Sequence, residues 1–400
     1  MSVLSGKKIL LGVTGGIAAY KAPLIVRLLK SKKADVRVVM TPAAKDFVSP
    51  LTLSTLSGNP VLSHFTDSQH DNPVWNNHVE LGKWADLFII APATSLTISA
   101  MVNARCSNLL IATYLSCTSK VYIAPAMDLD MYDHPANQSN LERLKSIGNE
   151  VLPVGKGFLA SGLHGKGRML EPEEITKRVE QDILDKLPLN GKRVLITSGP
   201  TYEPIDPVRF ISNHSSGKMG FALAEHAVKL GAEVTLISGP TTLSTTSNMR
   251  IFNVVTSEEM FLQVKKIFHK IDIAIAAAAV ADFKPKQAYK NKLKKEFKLN
   301  TIKLEPTQDI LAWMGENKNQ QFLLGFALET NDEIKNSIKK LKSKNLDAIV
   351  MNSLKNSGAG FSGDTNKVSY ISRKEKIIQF ELKLKNQVAE DIFTQILKHE

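Results

Sequence analysis

Along the chain, apolar runs of strand length alternate with longer stretches in which apolar residues recur at helical spacing. The first half carries KILLGVT, DVRVVMT, DLFIIAPAT and KVYIAPAM; the second carries KRVLITSG, EVTLISG, IFNVV, IDIAIAAAAV, FLLGFALE and LDAIVMN. Uninterrupted apolar strands are what a parallel sheet buried on both faces requires, and the intervening helices supply its cover. The pattern predicts α/β architecture: two doubly wound, mostly parallel-sheet domains in tandem. Between them a polar amphipathic helix in EEITKRVEQDILDKLP stops at Pro188, and Asn190-Gly191 turns into a fresh buried strand. The boundary is expected near Leu189, giving domains 1–189 and 190–400.

With 400 residues, each half is long enough to bury a core without covalent staples. No apolar run reaches the roughly 18 residues of a membrane span. The opening KKILLGVTG lacks a small-residue cleavage site, so a cytoplasmic protein without a membrane partner is expected. Cys106 and Cys117 are too few and too irregularly placed for a disulfide framework, a zinc site or a CxxC pair, and no residue set reads as a dedicated metal site. The formal charge of +12 suits nucleic acid or acidic small molecules. Its lysines concentrate in YKNKLKKEFKLNTIK, residues 289–303, and KNSIKKLKSKN, residues 335–345. Only Tyr289 and Phe297 interrupt the first run and no aromatic interrupts the second, which disfavours a base-stacking surface. Solvated lysine faces and phosphate-bearing substrates remain as readings.

In open α/β sheets ligands sit beyond the carboxyl ends of the strands. After the first strand, Gly15 and Gly16 permit a tight turn before a helix start, a structural turn or a phosphate seat. After DLFIIAPAT, the residues Thr94, Ser95, Thr97, Ser107 and Asn108 offer hydrogen-bonding groups that suit a phosphate, a ribityl chain or a set of helix caps. His78 begins a short helical segment; it is either a structural histidine or a proton carrier near neutral pH. In the second half, ISNHSSGKMG from Ile211 to Gly220 places backbone N–H groups, Ser215, Ser216 and Lys218 at a helix start, a seat for an anion. It lacks the GxxxxGK[ST] order of a P-loop.

These motifs carry a resemblance. GVTGGIAAYK, HVELGKWADLFIIAPAT, PAMDLDMY and GKGRML resemble the FMN-dependent cysteine decarboxylases of coenzyme A synthesis. SGPTYEPIDPVRFISNHSSGKMG, AAAAVADFKP, NKLKK and GFALET resemble the phosphopantothenate-cysteine ligases, with GFSGDTN as a further family-like loop. The resemblance spans nearly the whole chain, in the order of the bifunctional coenzyme A biosynthesis family.

It implies that Gly15, Gly16, Thr41, Ala93, Thr94 and Ser107 hold FMN, that His78 is catalytic, and that Met127, Asp128 and Arg168 meet the substrate. In the second half it implies an acyl-cytidylate formed from 4'-phosphopantothenate and CTP, then displaced by the cysteine amine. Asn213 stabilises that intermediate, with Arg209, Ser215, Ser216, Lys218, Ala278 and Ala279 on the substrate. Asp282, Gln308, Asp309, Ile310, Leu311, Phe326, Lys340 and Lys344 contact CTP, Lys292 stabilises the phosphoryl group, and Mg²⁺ arrives with the nucleotide. The resemblance further implies a homo-oligomer, with trimeric flavin domains, dimeric ligase domains and a dodecamer overall.

Two departures matter. The family's PAMN reads PAMD here, so Asp128 must be protonated, paired with a cation or aimed away from a substrate carboxylate. The family's flap cysteine is Ser161, a far weaker acid; a water relay at Ser161 or His164 in the same flap could supply the proton. That change also raises an oxidative decarboxylase that stops at the enethiol. A nicotinamide-dependent reductase is a further rival, although neither half has GxGxxG followed by an acidic residue about 20 positions on.

Overall fold

A computed structural model describes residues 2–67, 74–294, 301–329, 331–353 and 363–398. Phe297, the ends of NKLKK and GFALET at Lys295 and Thr330, and residues 360–362 of GFSGDTN lie outside the described residues. The chain divides into two compact units, Met1–Asp185 and Lys186–Glu400. Leu189 lies fully buried in the core of the second.

In the first unit, β1 (Lys8–Val13), β2 (Asp35–Met40), β3 (Val61–Leu62), β4 (Leu87–Ala93), β5 (Lys120–Pro125) and β6 (Glu150–Val151) form one sheet, ordered β3-β2-β1-β4-β5-β6, with every pairing parallel. Alternate side chains of β1 serve opposite faces, as strand geometry demands. Ile9 and Leu11 pack with Ile25 and Leu29 of α1 (Ala22–Ser31) and with Ile175 and Val179 of a C-terminal helix, Pro172–Asp185. Leu10 packs on the other face with Ile98 of α2 (Ser95–Val102) and Leu110 of α3 (Leu109–Ser116). All seven residues of β4 are buried, which is why its sequence has no polar alternation. An antiparallel hairpin, Gly155–Phe158 with His164–Arg168, stands apart from this sheet.

In the second unit, β7 (Arg193–Ser198), β8 (Glu233–Ser238), β9 (Arg250–Asn253), β10 (Ile273–Ala276), β11 (Phe322–Glu329), β12 (Ala348–Ser353), β13 (Val368–Ser372) and β14 (Ile377–Gln379) form an eight-stranded sheet, ordered β9-β8-β7-β10-β11-β12-β13-β14. The first six pair in parallel; β13 and β14 extend the sheet antiparallel. The expectation of two mostly parallel α/β domains therefore holds, with the antiparallel extension as an addition. Among the described residues, no helix is long and apolar enough to cross a membrane.

Both orders contain one reversal, between β1 and β4 and between β7 and β10, where successive crossovers leave the sheet in opposite directions. At such a point the carboxyl ends of two neighbouring strands are not covered by the same helix, and a crevice results. In the first unit the crevice edges are stitched together by Thr14, whose Oγ1 donates to Pro92 O at 2.8 Å and accepts from Thr94 N at 3.1 Å. In the second, Ala279 N donates to Gly199 O at 2.9 Å across the same kind of junction.

The start of α3 depends on Asn108, whose Oδ1 accepts from Ile111 N at 3.0 Å. Asn108→Ala should cost about 1 kcal/mol and lower the first unit's melting transition by about 2–4 °C in scanning calorimetry. An unmoved transition would show that the cap contributes nothing.

Candidate functional site

The first crevice is built for close approach. A Cβ at Gly15 would lie 2.7 Å from Ala43 Cβ, and one at Gly16 would lie 3.2 Å from Thr94 Cγ2. Glycine is thus required at the first position by packing, and the turn brings Gly15 against Ala43 and Gly16 against Thr94. Thr41, directly after β2, is buried, and its Oγ1 has no hydrogen-bond partner among the described residues. A buried hydroxyl left unpaired is costly, and a polar ligand atom would relieve it. Ala93 O accepts from Ala126 N at 3.0 Å, which ties the PAM segment to the end of β4. Ser107 stands exposed before α3, its N–H donated to Arg105 O at 2.8 Å, and Asn108 is committed to capping.

Met127 N donates to Gly167 O at 3.1 Å, joining the PAM segment to the hairpin. Gly167 has φ +118°, and a Cβ there would fall 2.3 Å from Met127 O, so only glycine fits. Asp128 caps the short helix Leu129–Asp133: its Oδ1 accepts from Leu129 N at 2.7 Å. One carboxylate oxygen is therefore turned to the backbone. Arg168 is tied to Glu171 at 2.9 Å, and Glu171 also receives the buried Lys21 Nζ at 2.9 Å. The Lys21 hydrogen bond, with help from Arg168, holds the Glu171 carboxyl below its ordinary range.

His78 is the first residue of a helix, His78–Trp84, capped by Asn77, whose Oδ1 accepts from Val79 N and Glu80 N. Its ring meets Phe65 and Trp75 edge-on, with centroids 6.0 and 6.3 Å away. Its Nδ1 is buried and has no hydrogen-bond partner among the described residues. A half-buried imidazole nitrogen without a partner is open to a ligand's hydrogen bond. Ser161 lies exposed at the hairpin tip, its Oγ accepting from Leu163 N at 3.5 Å, while His164 is exposed and packs edge-on against Phe158, with centroids 5.1 Å apart.

The second crevice opens into a cavity of about 620 Å³. One wall is the turn Asn213 to Gly220 and the start of α4 (Lys218–Lys229), contributing Asn213, Ser215, Ser216 and Lys218. Gly217 caps α4 with φ +78°, and a Cβ at Gly220 would come within 2.4 Å of Ser198 Oγ. The helix start can approach β7 this closely only because both positions lack side chains. The floor is Ala278 and Ala279, held by Asn213, whose Nδ2 donates to the carbonyls of Ala279 and Val280 at 3.1 Å each. Asn213 thus positions the alanine segment with its amide nitrogen.

The far wall carries Asp282, Gln308, Asp309, Ile310, Leu311, Phe326, Lys340 and Lys344. Asp309 caps the helix Ile310–Asn317, accepting from Ala312 N at 2.9 Å, and pairs with Lys344 at 2.7 Å. Burial pushes its carboxyl up, but Lys344 and the cap N–H outweigh this and leave it below the ordinary range. Lys340 Nζ donates to Phe326 O at 2.9 Å. All fourteen of these expected residues, Asn213 through Lys344, therefore converge on one cavity.

Arg209 and Lys292 do not line it. Arg209 forks onto the buried Asp206, with Nε at 2.9 Å from Oδ2 and Nη2 also on that oxygen, and reaches Leu293 O at 2.9 Å. Leu293 N in turn donates to Asp206 at 3.2 Å, so Arg209 braces the strand of chain bearing the exposed Lys292. Arg209, expected on the substrate, here makes a bracing contact to a buried carboxylate, with its side chain half exposed. Sequence reasoning also missed Thr197, Asn352, Asn366 and Lys385, which line the same cavity. Asn366 ends the GFSGDTN motif without having been singled out; no motif flagged the other three, which come from strand ends and a late helix start.

The chain resembles known proteins over both halves. Residues 2–184 match the family model described as Flavoprotein, and residues 189–399 match the DNA/pantothenate metabolism flavoprotein C-terminal domain. The chain is 52% identical over 357 residues to a "Cysteine/Cysteine sulfinic acid decarboxylase" from an unknown prokaryotic organism, covering 88% of this chain and 99% of that one. It is 46% identical over 371 residues to the "Coenzyme A biosynthesis bifunctional protein CoaBC" of Bacillus subtilis (strain 168), covering 92% of this chain and 91% of that one. Among solved structures, the C-terminal domain of a coenzyme A biosynthesis bifunctional protein is 42% identical and aligns with a TM-score of 0.47, over 54% of this chain and 98% of that one.

The Arg209 hydrogen bond holds the Asp206 carboxyl well below its ordinary range. A depressed carboxyl contributes stability that is fully present above its unfolded value of about 3.9 and is lost as pH falls toward the folded value. Arg209→Ala should therefore lower the melting temperature of the second unit at pH 7 and lower it progressively less as pH falls below about 4. An equal loss at both pH values would show that Arg209 acts through packing rather than charge.

Proposed function

The chain belongs to the bifunctional coenzyme A biosynthesis family, and on that premise we propose how its residues carry out the two reactions. The protein is a phosphopantothenoylcysteine decarboxylase and a phosphopantothenate-cysteine ligase in one chain. The observation that best supports the division of roles is the convergence of fourteen ligase-motif residues on a single cavity at the second strand reversal.

In the first unit, Gly15, Gly16, Thr41, Ala93 and Thr94 would seat FMN: the glycines allow backbone approach, and Thr41 Oγ1 offers a buried hydrogen-bonding atom still unpaired. Ser107 belongs to the same proposed set, at its exposed margin. When bound, FMN supplies a two-electron acceptor, which turns the cysteine-derived carbon into an electron sink beside the departing carboxylate and afterwards returns the electrons. His78, with Nδ1 buried and unpaired next to Phe65 and Trp75, would move the proton in this reaction. The hairpin, fixed to Met127 through Gly167, would bring Arg168 and Ser161 to the substrate as a cover. Ser161 relays the final proton through water.

In the second unit we assign the nucleotide, CTP, to the wall of Asp282, Gln308 to Leu311, Phe326, Lys340 and Lys344, with Mg²⁺ carried on its phosphates. Lys344 and Lys340 are already tethered in place, so little side-chain entropy is lost when they meet phosphate. Attack by the 4'-phosphopantothenate carboxylate on the α-phosphorus expels pyrophosphate and leaves an acyl-cytidylate. The cysteine amine then displaces CMP, forming the amide. Asn213, Ala278 and Ala279 hold the acyl carbon in reach of the amine, and Lys292, on the segment braced by Arg209, neutralises phosphoryl charge.

The relative named for cysteine and cysteine sulfinic acid favours a second reading, in which the first unit also takes the free amino acid. Anaerobic incubation of the purified protein with 4'-phosphopantothenoylcysteine, cysteine or cysteine sulfinic acid, followed by mass spectrometry, separates these. Loss of carbon dioxide alone from 4'-phosphopantothenoylcysteine is expected; loss of carbon dioxide plus two hydrogens would overturn the reductive step, and turnover of the free amino acids alone would overturn the substrate.

We further propose trimeric association through the first unit, dimeric association through the second, and a cytoplasmic dodecamer. Ile17, Tyr20 and Leu24, spaced three and four residues apart and 60%, 54% and 47% exposed, present apolar surface of the kind association buries. Light scattering should give a multiple of the trimer mass, and Tyr20→Glu should reduce it; a monomer would sink the assignment.

A further inference from the structure

Lys21 is a buried cation to which none of these roles is given. It closes the GVTGGIAAYK motif at the end of a short 3₁₀ helix, Ile17–Lys21, directly before α1. Only 3% of it is exposed. Its Nζ donates to Met169 O at 3.2 Å and to Glu171 Oε1 at 2.9 Å. Glu171 Oε1 also accepts from Arg168 Nη2 at 2.9 Å, so one carboxylate oxygen joins the two cations. The segment that begins at Gly15-Gly16 is thereby tied to the end of the hairpin strand His164–Arg168.

Arg168 is anchored on both sides along the chain. Gly167 O accepts from Met127 N at 3.1 Å, and Met169 O accepts from Lys21. Between Lys166 and Arg168 the hairpin register shifts, the kind of bulge by which a strand re-aims a side chain. Withdrawing an ammonium from water is expensive unless acceptors replace the water, and an apolar residue of similar volume fills space at lower cost. What Lys21 adds is a fixed end for Glu171. The side chains of Glu171 and Arg168 are 47% and 40% exposed, and an exposed pair by itself contributes little and holds its geometry weakly. A guanidinium has five N–H donors, and the bond to Glu171 takes one, so Arg168 is oriented and still able to meet an anion.

We propose that Lys21 is a positioning residue of the decarboxylase site: acting through Glu171 and the Met169 carbonyl, it sets the orientation in which Arg168 meets anionic oxygens of the substrate. The proposal rests on the decarboxylase reading and adds Lys21 and Glu171 to it. Those oxygens belong either to the carboxylate of the cysteinyl unit or to the phosphomonoester of 4'-phosphopantothenoylcysteine.

Steady-state decarboxylation by the full-length holoprotein, followed by mass spectrometry, tests this. Lys21→Met, which keeps the apolar stem, should raise the KM for 4'-phosphopantothenoylcysteine roughly tenfold or more while kcat changes less, the pattern of lost binding. In an Arg168→Met background the same substitution should add nothing further, because its effect passes through that guanidinium. With pantothenoylcysteine, which lacks the phosphate, a persisting penalty assigns the oxygens to the carboxylate and a vanished one assigns them to the phosphomonoester. A wild-type KM in Lys21→Met overturns the role. So does an equal penalty with and without Arg168, which would leave Lys21 as a support for the fold alone. If Lys21→Met does not fold, Glu171→Ala, at a half-exposed position, enters the same cycle with the same outcomes. A wild-type protein that releases no carbon dioxide from 4'-phosphopantothenoylcysteine sinks the decarboxylase reading and this role with it, whereas an active wild type with an unaffected variant sinks the role alone.

Discussion

A parallel sheet whose strand order reverses cannot be covered at the reversal, and both units of this protein depend on that constraint. Right-handed crossovers carry the chain to one side of the sheet and then to the other. At β1/β4 and at β7/β10 the strand ends are left with backbone groups facing a crevice. Unpaired backbone groups are tolerable only when stitched to each other or offered to a ligand. Thr14 and Ala279 do the stitching.

Close approach follows from the same constraint. Gly15, Gly167 and Gly220 each stand where a methyl group would collide with a neighbouring residue at 2.7 Å or less. These are positions at which a turn, a hairpin and a helix start are pressed against a strand end. The resulting walls are narrow, and their polar groups act at short range in a poorly solvated space, where fixed dipoles count for more than in water.

The basic balance of the chain finds a local meaning in the second unit. Lys344 on Asp309, Lys340 on the Phe326 carbonyl and Lys218 on Asp364 are each held before any ligand arrives. Arg209 is held too, but by a buried carboxylate that directs it to bracing a neighbouring segment. The cations differ in where their partners lie: Asp309 lines the cavity, whereas Asp206 is beneath the surface.

The sequence by itself determined the class of fold, since buried parallel strands must be continuously apolar and helices must show their spacing. It also determined the linear motifs, because Gly15-Gly16, Ser215 to Gly220 and Gln308 to Leu311 act through backbone conformation set by neighbours in the chain. It was silent on β13 and β14, whose short runs acquire strand character only by pairing beside β12. Only the tertiary structure decided that Asp128 turns an oxygen to a helix start, that Arg209 pairs with Asp206, and that Lys385 and Asn366 line the same cavity as Lys218. Those outcomes turn on which charged group lies within a few ångströms of which other, and chain-distant residues acquire that proximity only through packing.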